Sequence, residues 1–240
     1  MDDSSQPMAL VTGAARGLGL EIARQLAQQG MAVLLTARDS AQGLAAARQL
    51  AAEGLSVQHA VLDVADPASI QQLAASLGRL DILINNAAAL ANWTETATTA
   101  DLAATHILFE TNLFGPWRMA QAMLPLLRAS QHGRIVNVSS GGGSHGDALF
   151  PLTANGGTAA SYGVSKAALN ALTAKLAAEL ADSPIIVNAV CPGFTASAPG
   201  MAEQGARPVA ESARGIVWAA TLPDDGPRGG FFRDGQPIPW

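Results

Sequence analysis

From one end of this chain to the other, short apolar runs of strand length alternate with longer alanine- and leucine-rich amphipathic stretches. Strands are expected at Met8–Thr12, Ala32–Thr36, Val57–Val61, Leu80–Asn85, Arg134–Ser139, Ile185–Val190 and Gly230–Arg233. Helices are expected at Gly17–Gln29, Ala41–Ala52, Pro67–Leu77, Thr99–Phe114, Trp117–Ala129, Ala159–Leu180 and Val209–Ala220. Ser40 precedes the second helix, Gly30 and Gly54 follow the first two, and Asp66-Pro67 opens the third, as capping and proline preferences require. A helix between successive strands forces parallel pairing with both sheet faces covered. Near-continuous apolar strands such as DILI belong at doubly covered central positions. Right-handed crossovers then favour a doubly wound α/β sheet of about seven strands in the order 3-2-1-4-5-6-7. Residues 1–7, acidic and polar, are expected to be a flexible tail, and residues 8–240 a single domain.

Composition excludes several function classes. No apolar run approaches the roughly 20 residues needed to cross a bilayer. The net charge of -5, without a basic cluster, argues against nucleic acid or an anionic membrane as partner. One cysteine, Cys191, precludes an internal disulfide and suits a reducing cytoplasmic setting. His59, His106, His132 and His145 are scattered without metal-ligand spacing.

In such a sheet, ligands bind beyond the carboxyl ends of the strands. The first strand runs into Thr12-Gly13-Ala14-Ala15-Arg16-Gly17-Leu18-Gly19 and then a helix. Glycines there allow a tight turn and close approach of a pyrophosphate, which the helix N-terminus attracts. The second strand ends in Ala37-Arg38-Asp39. At this place a carboxylate binds a free ribose 2′-hydroxyl, whereas an arginine accepts a 2′-phosphate. Arg38, with Arg16 as a second guanidinium, favours NADP(H), and Asp39 leaves NAD as the alternative. Asp63, ending the third strand before Val64, has two possible roles: hydrogen-bonding adenine or capping its turn. Asn85 and Asn86 close the fourth strand, where they either tie adjacent loops or meet ligand.

The fifth strand delivers Ser139 and Ser140 to the same edge, where a hydroxyl can stabilise an alkoxide or bond its own turn. Tyr162, the only tyrosine, lies four residues before Lys166, one of two lysines. On a helix this spacing stacks the pair on one face, and an ammonium beside a phenol lowers its pKa toward neutrality. Asn112 lies in a helical stretch just before Gly115-Pro116, a pair expected to kink the helix and free a carbonyl for water.

Taken in order, TGAARGLG, LDV, NNAA, Asn112, GRIVNVSS, YGVSK and the Cys191–Gly193 turn CPG resemble the short-chain dehydrogenase/reductase family over nearly the whole chain. The stretch LLTARDSAQGLAAARQLAAEGL and the CPG turn look most like its carbonyl reductase branch. The resemblance implies a Rossmann-type domain and a catalytic tetrad of Asn112, Ser140, Tyr162 and Lys166. Tyr162 would be the proton donor in reduction, Ser140 would orient the carbonyl, and Lys166 would bind the nicotinamide ribose and join a proton relay through water on Asn112. It further implies cofactor contacts at Gly13, Arg16, Gly17, Leu18, Gly19, Arg38, Asp63, Val64, Asn85, Tyr162, Lys166, Pro192, Gly193 and Thr195. NNAA departs from the family's N-N-A-G, and Ser197 stands where the family has threonine. The stretch from Ser140 to Tyr162 is longer than the common form but shorter than the insertion that accompanies monomeric animal carbonyl reductases, which leaves monomer and homo-oligomer both open. Thr195–Arg207 is short for the family's substrate cover, so an open pocket lidded by 141–158, suited to bulky ketones, is expected.

The reading is therefore an NADPH-dependent reductase of a small-molecule ketone or aldehyde. The alternatives are an NAD-linked hydroxysteroid or sugar-alcohol dehydrogenase and an NADP-binding sensor without turnover.

Overall fold

The computed structural model describes residues 6–240. The elements, in chain order, begin with β1 (Met8–Val11), α1 (Gly17–Gln28), β2 (Ala32–Ala37), α2 (Ser40–Ala52), β3 (Val57–Val61), α3 (Pro67–Ser76) and β4 (Ile82–Asn85). There follow α4 (Leu102–Phe109), α5 (Gly115–Ala129), β5 (Arg134–Val138), α6 (Ala160–Glu179), β6 (Ile186–Val190), α7 (Val209–Ala220), β7 (Phe231–Arg233) and β8 (Gln236–Pro237). They form one sheet in the order β3-β2-β1-β4-β5-β6-β7-β8. The first seven strands run parallel, as expected, and β8 adds a short antiparallel edge through a hairpin from β7.

The period-2 alternation of the strands divides the core. Ala9 and Val11 pack with α1, α2 and α7 on one face, among them Ile22, Leu26, Leu50 and Ile216. Leu10, between them, joins Ile70, Met119, Met123 and Leu127 of α3 and α5 on the other. Every residue of β4, β5 and β6 is buried, so these strands read as apolar runs rather than alternations. This packing holds the carboxyl ends of β1, β4, β5 and β6 in line, and the loops leaving them build the site.

Several local expectations are revised. The cap of α2 is Asp39, whose carboxylate accepts from Gln42 N at 2.9 Å, and Ser40 is the first helical residue. Asp101 similarly caps α4 by accepting from Ala103 N, so that helix starts later than Thr99. The Gly115-Pro116 pair opens α5 rather than breaking it. The irregularity falls just upstream, as a π-helical turn over Glu110–Phe114. Proline lacks the N–H that a first turn leaves unpaired anyway, so the wider turn before it absorbs the mismatch. Residues 1–5 of the expected tail lie outside the described residues. Gln6 and Pro7 are tied down rather than loose: Gln6 Nε2 donates to Gly30 O at 2.6 Å, and Ala32 N donates to Pro7 O at 2.9 Å.

Candidate active site

The loop from β1 to α1 turns on glycines. Gly13 and Gly17 adopt positive φ of 64° and 56°, open to glycine at little cost. A Cβ on Gly19 would stand 2.5 Å from both Asn86 Nδ2 and Gly13 O, so only glycine fits there. Asn86 fastens this loop, donating through Nδ2 to Thr12 O at 2.8 Å. Thr12 Oγ1 in turn accepts from Asn86 N and Ala87 N. No side chain caps α1, so its first N–H groups face the mouth of the loop without a side-chain partner. The Leu18 side chain packs on the core, which leaves its backbone N–H at the mouth.

Arg16 and Arg38 flank this mouth, exposed, and make no side-chain hydrogen bond or ion pair among the described residues. Asp39, the residue that would select a free ribose hydroxyl, spends its carboxylate on α2. The donor set therefore fits a dinucleotide carrying a 2′-phosphate.

Three other residues of this edge have defined protein partners. Asp63 uses one carboxylate oxygen on its own turn, accepting from Ala65 N at 2.9 Å. The Val64 side chain is buried against Gly115. The Asn85 side chain points into the sheet, donating to Asn137 Oδ1 at 2.8 Å, and Asn137 Nδ2 donates to Thr173 Oγ1 at 2.8 Å. This buried ladder joins β4, β5 and α6 and leaves Asn85 Oδ1 buried without a hydrogen-bond partner among the described residues. Asn86 is the one that ties the loops.

Burial separates the two serines of β5. Ser139 is buried and its hydroxyl donates to Asn170 Oδ1 at 2.5 Å, inside the protein. Ser140 stays partly open, accepts from Gly142 N at 3.1 Å, and pulls the pKa of the Tyr162 phenol down. Tyr162 and Lys166 occupy the first turns of α6 and face each other, with Nζ 5.6 Å from the ring centroid. Lys166 is 2% exposed, and its Nζ donates to Val138 O at 2.8 Å.

The expected lowering of the phenol's pKa is reversed. The Tyr162 side chain is only partly covered, yet the density of protein around it disfavours the phenolate. Burial pushes its pKa up to about 12, against the opposing pull of Ser140. Burial also lowers Lys166 to about 8. Desolvation is the largest influence on both groups and keeps the phenol protonated.

Asn112 is fully buried in the π-helical turn. Its Oδ1 accepts from Ala89 N at 2.7 Å, and its Nδ2 donates to Ala89 O at 3.0 Å and to Ser165 Oγ at 3.1 Å. Ser165 Oγ donates to Tyr162 O at 2.7 Å. The amide therefore fixes the loop after β4 against α6, a clamp that the sequence pattern could not reveal.

After β6 the chain turns at Pro192-Gly193, where Gly193 takes φ of 72°. Pro192 O accepts from Arg207 Nη2 at 2.6 Å, and the same guanidinium pairs with Asp234. Arg207 thus braces the turn from the far end of its loop, a role no local signal announced. The Thr195 hydroxyl is committed inward, to Ser212 Oγ at 2.8 Å and backbone carbonyls. Ser197, not Thr195, lies beside the glycine loop, with its backbone oxygen 3.6 Å from where a Gly17 Cβ would stand. The Cys191 sulfur accepts from Gly141 N at 3.2 Å and Gly193 N at 3.4 Å, joining the turns after β5 and β6.

Glycine loop, phenol, lysine and serine hydroxyl therefore meet on one edge of a doubly wound sheet. The family profile described as short chain dehydrogenase matches residues 7–207. Among curated proteins, (+)-neomenthol dehydrogenase of Arabidopsis thaliana is 36% identical, the match covering 97% of each chain. Among solved structures, the NADPH-bound carbonyl reductase from chicken fatty liver superposes with a TM-score of 0.85 at 29% identity, covering 98% of this chain and 99% of that one. A single-residue variant of actinorhodin polyketide ketoreductase with NADPH gives a TM-score of 0.84 at 28% identity, covering 98% of this chain and 97% of that one. Site, topology and these likenesses agree over almost the full length: the chain belongs to the short-chain dehydrogenase family.

Proposed function

We propose that this oxidoreductase reduces a ketone or aldehyde to an alcohol with NADPH, reversibly, with Tyr162 as proton donor. One observation carries the reading: a phenol kept protonated by burial stands beside Ser140 and a buried lysine, at the same sheet edge as an uncapped glycine-rich helix start. NADPH supplies the hydride when bound. Gly13, Gly17 and Gly19 let the backbone approach its pyrophosphate, and Arg16 and Arg38 are free to pair with its 2′-phosphate. NADPH in the two superposed reductases supports the same choice. Pro192-Gly193, braced by Arg207, would wall the reacting edge, with the Ser197 hydroxyl nearby.

The protein's own chemistry is proton supply and charge stabilisation. Ser140 donates toward the carbonyl oxygen as negative charge develops there. Tyr162 passes its proton to that oxygen, and the Lys166 ammonium stabilises the phenolate left behind. Trp93, 55% exposed, lays its ring edge against Tyr162 at 5.5 Å between centroids. With exposed Leu149 and Phe150 on the 141–158 loop, it supports a bulky, apolar ketone as substrate. The capping bond to Asp39 Oδ1 weakens the support for an NAD-linked dehydrogenase, and the proton donor has no use in a sensor without turnover.

The test is a panel of cyclic and acyclic ketones with NADPH and NADH, followed by loss of reduced-nicotinamide absorbance. Tyr162→Phe should lower kcat by at least about 100-fold, within the range of general acid catalysis, while NADPH still quenches protein fluorescence. Full activity in that variant would defeat the assignment.

A further inference from the structure

The helix that presents Tyr162 has no cap of its own. Ala159, the residue before it, sits in the left-handed region at φ 53° and offers no side chain to the first N–H groups. The cap comes from elsewhere. Glu95, in the segment between β4 and α4, accepts through Oε1 from Ser161 N at 3.0 Å. The same oxygen accepts from the Ser161 hydroxyl. Ser161 is buried and directly precedes Tyr162. Two residues before Glu95, Trp93 packs edge-on against the Tyr162 ring. At the start of this segment, Ala89 is gripped by Asn112, which also reaches Ser165 in the next turn of α6.

We propose that Glu95 is a positioning residue for Tyr162. The inference rests on the reading of Tyr162 as proton donor. The first N–H groups of a helix have no partner within it, so an uncapped first turn frays most readily. A carboxylate placed there satisfies two donors and meets the positive end of the helix dipole. Trp93, two residues earlier, packs its edge against the phenol ring, so the segment holding both residues meets the first turn of α6 at the helix start and at the ring. Lys166, a turn further in, is held independently by Val138. Removing Glu95 should therefore loosen the phenol without releasing the lysine or the glycine loop.

The test measures kcat for a ketone turned over by the wild type, its solvent deuterium isotope effect, NADPH affinity by fluorescence and the unfolding midpoint. Glu95→Ala should lower kcat about tenfold, a modest fraction of what a misplacement of about 1 Å can cost. The solvent isotope effect should rise as proton transfer becomes limiting, and the Kd for NADPH should hold within about twofold, because the hydrogen bonds of Glu95 go to Ser161 and not to the glycine loop. Glu95→Gln keeps an acceptor and should recover kcat to within about threefold of wild type. Full kcat in Glu95→Ala, no recovery in Glu95→Gln, or parallel loss of kcat, NADPH affinity and stability overturns the inference. Should Glu95→Ala not fold, Glu95→Asp, too short to span to Ser161, is read by the same criteria. Tyr162→Phe runs alongside: if it keeps the wild-type rate, the proton-donor reading fails, and if it is inactive while Glu95→Ala is unaffected, only this inference fails.

Discussion

Arg38 and Asp39 are adjacent in sequence and divided in task. The aspartate closes a helix, and the arginine is left with nothing among the described residues to pair with. A guanidinium poised in this way is worth about 1.5–3 kcal/mol to a charged phosphate, roughly one to two decades of preference. Arg38→Asp should therefore lower the NADPH-to-NADH ratio of kcat/KM by at least about tenfold, as measured with both cofactors on one ketone. An unchanged ratio would move the phosphate site to Arg16 alone. The residue types of this end were legible because backbone geometry dictates them: Gly19 has no room for a Cβ. The partner of each polar side chain was less legible. Asp39 kept NAD open as an alternative until its carboxylate was found capping α2. Thr195 and Ser197 are both hydroxyls on one short loop, and only Ser212, distant in sequence, decided which one turns inward.

At the scale of elements, the 141–158 loop is anchored to the end of the sheet. The Asp147 carboxylate is fully buried and pairs with Arg233 of β7. Burial alone would raise its pKa. Arg233 and the backbone N–H groups of Phe150 and Leu149 overcome that and hold it below the usual carboxylate range. Arg233→Met leaves this charge buried and unpaired, at a cost of about 3 kcal/mol. For a domain of this size the unfolding midpoint should fall by roughly 6–12 °C, as read by calorimetry. A fall below about 2 °C would mean that the loop carries no load on this pair. Because the folded pKa is depressed, the wild-type contribution persists at neutral pH and fades as pH falls through the carboxylate range. Element types and their order were readable from hydrophobic period and capping residues. The π-helical turn at Glu110–Phe114 was not, because the Gly115-Pro116 signal marks a disturbance without saying on which side it falls.

Across the whole molecule, the sheet with helices on both faces is what makes a buried lysine possible. Lys166 lies under β5 with its pKa lowered from 10.5 to about 8. Between about 8 and 10.5 the unfolded chain binds the proton that the folded chain has released, so stability should rise with pH. Tyr162, raised to about 12, opposes this only above its ordinary value of 10.0. The window from 8 to 10 thus belongs to Lys166, with Lys175 the only other lysine. Urea unfolding at several pH values should show the rise in the wild type and its absence in Lys166→Met; a flat wild-type curve would contradict the assigned burial.

By itself the sequence determined the parallel α/β architecture, the strand order and the loops that share an edge. Period, glycine placement and chain connectivity are local or topological, and they leave few ways to bury the apolar strands. Only the tertiary structure decided that Ser139 turns inward to Asn170, that Asn112 clamps Ala89, that Glu95 caps the helix carrying Tyr162, and that the phenol's pKa moves up rather than down. Each of these depends on which groups distant in sequence come within hydrogen-bond reach, and on how much water their packing removes.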